Sequence, residues 1–159
     1  MSPRSMAWLL LLALLLLGCS HKPPYKGKSV AELERMLDDP SPTVQVWGAF
    51  GLGGHGAEAR PAIPALIRVM KSPDTLVRQQ AAVALGKIGA DAAEATPALI
   101  DSLHDPQWSV RRQAAIALGR IGPSARAAEP ELRRCQSDTN SLVRKAADQA
   151  LGKIKKAQP

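Results

Sequence analysis

Two thiols, three imidazoles and a regularly spaced set of guanidiniums are the groups in this 159-residue chain whose types could do chemistry. Cys19 follows Gly18 at the end of an apolar run, and Cys135 stands beside Arg133 and Arg134. Neighbouring cations lower a thiol's pKa and make it reactive, whereas a free cysteine within a helix more commonly serves as a small buried hydrophobe. His21, His55 and His104 are widely separated and none is followed by glutamate, so no local metal or acid–base pair is written. No serine or cysteine sits in a nucleophile motif. Residues 51–56, GLGGHG, satisfy G-x-G-x-x-G through Gly51, Gly53 and Gly56, but a phosphate site of that kind needs a strand before it and a helix N-terminus after it. What remains is Arg78, Arg111 and Arg144, spaced at 33 residues, with Arg112, Lys145 and Trp108 beside them.

The compartment in which these groups work is set by the N-terminus. Ala7 to Gly18 is an unbroken apolar run preceded by one charged side chain, Arg4. As a helix, twelve residues rise only about 18 Å, short of the roughly 30 Å of a bilayer's hydrocarbon core. A basic start, a short apolar centre and a small residue before a cut are the parts of a secretory signal peptide. Leu16, Leu17, Gly18 and Cys19 resemble the lipobox of bacterial lipoproteins, with Leu17 bulkier than that family's usual choice. The resemblance implies lipidation of the Cys19 thiol, loss of residues 1–18 and a mature chain starting at an acylated cysteine. Acyl chains contribute about 0.8 kcal/mol per buried CH2, and two or more hold a protein firmly. Cys135 is then left without a disulfide partner. Ser20 just after the cysteine resembles the outer-membrane sorting choice where the source has two membranes.

Losing Arg4 with the leader lowers the net charge from +7 to +6. A basic excess favours acidic partners, and export argues against nucleic acid among them. Residues 19–28 read as a tether, since Pro23-Pro24 resists helix and Gly27 adds freedom.

From residue 29 onward the chain is a repeat. Ala31, Pro64, Pro97 and Pro130 start four copies 33 residues apart, with no gap needed to align them. Each copy holds two helical stretches. In the first, Pro97 suits the opening helical position with Thr96 as N-cap, and Ser29 with Glu32 forms a capping box in copy one. A break at Asp39-Pro40, Ser72-Pro73 or Asp105-Pro106 precedes the second, whose caps are Ser41, Asp74 and Asn140, with Gln107 a poor one. Val77, Ala81, Leu85 and Ile88, repeated as Val110, Ala114, Leu118 and Ile121, form one stripe of a 3.6-residue helix. Glycines at 86, 119 and 152, and at 89 and 122, are expected to end it. The prediction is an all-α solenoid of four stacked two-helix units, a short right-handed stack with a Leu, Ile, Val and Ala core.

The phrase from Asp105 to Gly122, DPQWSVRRQAAIALGRIG, resembles the short HEAT-like repeat of the phycobilisome-lyase type, and the resemblance covers residues 29–159. It implies a protein-binding scaffold, such repeats being only occasionally enzymes; with no catalytic motif in the chain, no cofactor and no catalytic residues are expected. The His-Glu pairs of iron-binding HEAT-like hydroxylases are absent, and a bilin-lyase activity conflicts with export. The arginine column has two readings: each Arg bridges to a turn acid of a neighbouring copy, such as Asp105 or Asp138, or Arg78, Arg111 and Arg144 with Arg112 and Lys145 form a basic stripe for an acidic protein. Trp108 is either a contact anchor or local packing over the turn; Trp47 is expected to pack near the terminal helix. His55, in a column filled elsewhere by isoleucine, is expected at a partly open end of the stack. The function expected is a membrane-anchored, extracytoplasmic lipoprotein that binds a protein partner, the alternatives being an accessory subunit of an envelope enzyme or a lyase-like enzyme.

Overall fold

The computed structural model describes residues 23–155. It places four helix pairs in succession: α1 Val30–Met36 with α2 Pro42–His55, α3 Ile63–Val69 with α4 Thr75–Ile88, α5 Thr96–Ser102 with α6 Trp108–Ile121, and α7 Glu129–Cys135 with α8 Ser141–Lys155. No strand occurs among the described residues. The first helix of each pair is seven residues long and the second is twice that or more.

The turn between the two helices is built by a side chain. Asp39, Asp105 and Asp138 each accept the backbone N–H two residues on, at 2.8 Å from Ser41, Gln107 and Asn140. This Asx turn stops the first helix and aims the chain into the second. Asp74 and Asn140 cap their helices through Leu76 N–H and Leu142 N–H, and Ser29 with Glu32 forms the capping box. Ser41 makes no side-chain cap.

Besides the missing Ser41 cap, two details differ from the sequence expectation. Thr96 is not an N-cap: a 3-10 segment, Gly89–Ala95, leads into α5, and the buried Thr96 hydroxyl has no partner. Equivalent segments, Gly56–Ala62 and Gly122–Ala128, precede α3 and α7. Gly86, Gly119 and Gly152 do not end helices either; they lie inside α4, α6 and α8. The helix ends are Gly56, Gly89 and Gly122, with φ of +56°, +78° and +76°, a conformation that glycine alone adopts without strain.

The interior glycines have a different purpose. A Cβ on Gly86 would stand 2.9 Å from Ala117 Cα, and one on Gly119 only 2.8 Å from Ala150 Cα. Successive even-numbered helices therefore pack backbone against backbone, whereas contacts between the first helices of neighbouring copies are sparse. One face of the stack consequently consists of α2, α4, α6 and α8 side by side. Their inward stripes, with Val77, Ala81 and Leu85 and then Val110, Ala114 and Leu118, are fully buried.

The glycine column carries its own control, because a Cβ on Gly152 would meet nothing within 4 Å. Gly119→Ala is expected to destabilise by about 1–3 kcal/mol through overpacking. Gly152→Ala is expected to stabilise by up to about 1 kcal/mol through helix propensity alone. Urea unfolding of the two variants checks both signs.

Candidate functional site

The arginine column lies where each even-numbered helix leaves its turn. Arg78 Nε and Nη2 donate to Asp105 at 2.7 and 3.1 Å, while Nη1 donates to the Ser72 and Pro73 carbonyls. Arg111 repeats this arrangement with Asp138, at 2.8 and 2.9 Å, and with the Asp105 and Pro106 carbonyls. Each guanidinium thus caps its own turn with one nitrogen and grips the next copy's carboxylate with the other two. Side-chain exposure is 14% for Arg78 and 8% for Asp105. These two arginines are engaged in holding copies together, so their edges are not open to a partner.

Arg144 continues the column only in part: its Nη1 holds the Asp138 and Thr139 carbonyls, and no carboxylate pairs with it among the described residues. Between copies one and two the rung is neutral: Gln45 replaces arginine and donates to the Asp39 carbonyl, while Ser72 replaces aspartate and accepts the Asp74 N–H. Asp38 and Arg68 form an exposed ion pair across the same junction.

The ladder acids titrate low for physical reasons. Burial pushes the Asp105 carboxyl up, but the Arg78 hydrogen bond, the Gln107 N–H and the charges of Arg78 and Arg111 together pull it below its ordinary value. The Arg111 hydrogen bond dominates at Asp138 and lowers it despite burial. Cys135 moves the other way: burial, and then Asp138, push its thiol up. Arg133 and Arg134 do not activate it, being directed to Glu129 and Glu131, so Cys135 is packing material.

The G-x-G-x-x-G pattern dissolves into the repeat. Gly53 is the helix-contact glycine, where a Cβ would lie 3.2 Å from Ala84 Cα, Gly56 ends α2, and Gly51 lies against Leu33 and Tyr25. His55 is partly exposed and bonds the Lys28 carbonyl at 3.0 Å and Glu58 at 3.4 Å. Among the described residues, no group of three or more His, Cys, Asp or Glu is arranged to hold a metal. No described helix is long and apolar enough to cross a membrane. Cys19 and His21 lie outside the described residues.

Charge is what distinguishes the face of even-numbered helices. α2, α4 and α6 contain no Asp or Glu, and α8 contains one, Asp148. Arg112 and Lys145 line a pocket of about 230 Å³ between α6 and α8, with Ile116, Ala146, Gln149 and the exposed Leu142. Lys87, Arg120 and Lys153 form a second cationic row, exposed and without ion pairs among the described residues. Sequence reasoning passed over this row, although its 33-residue spacing is as regular as that of the arginine column. Trp108 opens α6 with its ring 42% exposed, and Trp47, expected to pack, is 37% exposed.

An extended, cationic, partly apolar face on a rigid stack is suited to binding protein rather than to chemistry. The sequence profile of HEAT repeats matches residues 30–116 and 96–159, and the chain belongs to that family. It is a HEAT-repeat solenoid, a fold typical of non-catalytic scaffolds. No curated protein matches the chain. Among solved structures it is similar to an engineered protein from a structural-genomics consortium, with 29% identity and a TM-score of 0.68, covering 79% of this chain and 62% of that one. It also shares its fold with a designed armadillo repeat protein in complex with a (KR)4 peptide, at 22% identity and a TM-score of 0.67, covering 79% and 64%. Computationally designed armadillo repeat proteins for modular peptide recognition are similar at 21% identity and a TM-score of 0.65, again covering 79% and 64%. The chain thus spans a little under two thirds of each of these proteins.

The ladder is open to test by pH. Because the Asp105 and Asp138 pKa values are lowered on folding, their stabilisation is complete above the unfolded carboxylate value of about 3.9 and is lost as pH falls through the folded values. Arg111→Ala is expected to cost about 1.5–3 kcal/mol at pH 7, the range for a hydrogen bond to a charged group. Asp138→Asn is expected to flatten the loss of stability below pH 4. Thermal unfolding across pH 2–7 measures both.

Proposed function

We propose that the chain is a membrane-anchored, extracytoplasmic lipoprotein whose HEAT stack captures an acidic segment of another envelope protein. The observation that carries the docking reading is the pocket between α6 and α8. Arg112 and Lys145 stand at its rim, Ile116 and Leu142 supply apolar surface, and the surrounding helix face offers Asp148 as its one carboxylate. Carboxylates of a partner would meet cations there without competition from the stack's own acids, which lie mainly on the first helices, the turns and the 3-10 segments. Complementary charge steers association and selects partners by sign. The designed armadillo protein solved with (KR)4 takes a basic peptide; the cationic face here fits a ligand of the opposite sign.

Anchoring rests on the N-terminal sequence. Leu16 to Cys19 has the lipobox pattern, and the apolar run before it is too short to span a bilayer. The protein is accordingly placed at the cell envelope facing outside the cytoplasm, on the outer membrane where two membranes exist.

Two substitutions separate docking from anchoring. Arg112→Glu combined with Lys145→Glu is expected to weaken binding of a labelled glutamate-rich peptide at least tenfold, followed by fluorescence anisotropy, with the helical melt unchanged. Undiminished binding would show the pocket to be idle. Cys19→Ser is expected to abolish incorporation of labelled fatty acid and to release the chain from the membrane fraction; retained label would sink the lipoprotein reading.

A further inference from the structure

Copy one departs from the other copies at three neighbouring positions of α2, each time toward a larger or more apolar side chain. Trp47 stands where α4 and α6 carry Gln80 and Gln113. Phe50 stands where they carry Val83 and Ile116, and Val46 where α6 and α8 carry Arg112 and Lys145. Trp47 and Phe50, three residues apart, share one helical face and are 37% and 42% exposed. The stack does not require these rings, because glutamine and valine fill the same places one copy further on.

The segment expected to be a loose tether supplies the third ring. Residues 23–28 form a turn, with Lys26 N–H on the Pro23 carbonyl at 2.8 Å and Gly27 at φ +79°. This turn sets the Tyr25 ring 4.9 Å from Phe50, centroid to centroid. Lys87 Nζ lies 5.1 Å from the Phe50 centroid, Lys26 is exposed, and Lys28 is partly so. Five aromatic residues occur in the whole chain, and three of them gather in this one cationic patch.

The patch is also tied to Cys19 by a short length of chain. Six residue steps separate Cys19 from Tyr25, at most about 20 Å of extended chain at 3.3–3.6 Å per residue. Aromatic rings favour the headgroup level of a bilayer, and lysines beside them are drawn to anionic lipids. We infer that Trp47, Phe50 and Tyr25, with Lys26, Lys28 and Lys87, rest in the headgroup layer of the membrane that holds Cys19, a second attachment that fixes how the stack stands on it. This inference rests on the lipid-anchored reading of Cys19. Its consequence is directional: copy one faces the lipid, and the pocket between α6 and α8 is held two copies further along, about 20 Å at 8–10 Å per packed helix.

The experiment uses single-tryptophan full chains in vesicles containing anionic lipid, in part brominated. One chain keeps Trp47 (Trp8→Phe, Trp108→Phe) and the other keeps Trp108 (Trp8→Phe, Trp47→Phe). Trp47 is expected to lose most of its emission to bromolipid and to be shielded from acrylamide, while Trp108 loses little and stays accessible. Fatty-acid labelling of the same preparations tests the anchor separately. Labelled, membrane-held protein with Trp47 fully open to acrylamide would overturn the inference and leave the anchor standing. Absence of label and of membrane association would overturn both. Trp47 that is shielded from acrylamide yet keeps its emission beside bromolipid would assign its cover to protein, and the inference would fall. Trp47→Gln with Phe50→Val, which installs the residues of copy two, is expected to preserve the melt and to make Tyr25 and its turn more accessible to protease at the vesicle surface; unchanged protection would count against the lipid contact.

Discussion

The near-contact of glycine with alanine between successive even-numbered helices is the constraint on which this molecule depends. Gly53, Gly86 and Gly119 face Ala84, Ala117 and Ala150 of the next copy so closely that no Cβ fits without movement. Glycine inside a helix costs about 1 kcal/mol relative to alanine, and the stack offsets that cost by bringing whole helices together. Close packing on one side, with sparse contact between first helices on the other, leaves a continuous face made of one helix type. The 33-residue period then places the same position of every copy in a row along that face. Rows of like side chains are a consequence of backbone packing before they are a device for binding.

Charge is divided along the same lines. Acids sit chiefly on the first helices, the turns and the 3-10 segments, while the even-numbered helices are nearly free of them. The exceptions prove informative. Arg78 and Arg111 reach out of the cationic face to Asp105 and Asp138, neutralising one row and tying each copy to the next. Arg112, Lys145, Lys87, Arg120 and Lys153 have no such partners among the described residues. Two arginines adjacent in sequence, Arg111 and Arg112, therefore have different situations: one is spent on the ladder, and the other lines a pocket.

The architecture was legible in the sequence because a repeat announces itself four times. Period, helix pairs and core stripes all follow from aligning the copies. The 3-10 segments were not legible, because a run such as GADAAEA lacks the apolar spacing of a helix and, with Gly89 and Asp91, carries the turn residues of an ordinary loop. Gly86 and Gly119 were misread as helix ends because two rules compete for a glycine three residues before another: left-handed ends and close packing both select it, and only the neighbouring helix decides. At the candidate site the spacing of the arginines could be read, and a bridge from each Arg to a turn acid of a neighbouring copy stood as one of two readings; the side-chain geometry decides for it, with Arg78 on Asp105 and Arg111 on Asp138, each 27 residues on. The aromatic patch, by contrast, was hidden. Tyr25 lies ahead of the first copy, and Trp47 and Phe50 break the columns they stand in, so alignment of the copies treats them as divergence.

Those departures gather at one junction. Copies two and three, and three and four, are joined by a bidentate carboxylate rung, whereas Gln45 and Ser72 leave the junction between copies one and two without one. The exposed pair of Asp38 and Arg68 spans it instead, and surface pairs of that kind contribute at most about 1 kcal/mol. In a linear array stability is the sum of each copy and its contacts with its neighbours. The one junction of the three without a carboxylate rung lies between the copy that bears the aromatic patch and the three that bear the ladder and the pocket, and there helix packing carries the contact. Gln45 and Ser72 stand there together in place of arginine and aspartate, so no buried charge is stranded and the junction rests on helix packing and neutral hydrogen bonds.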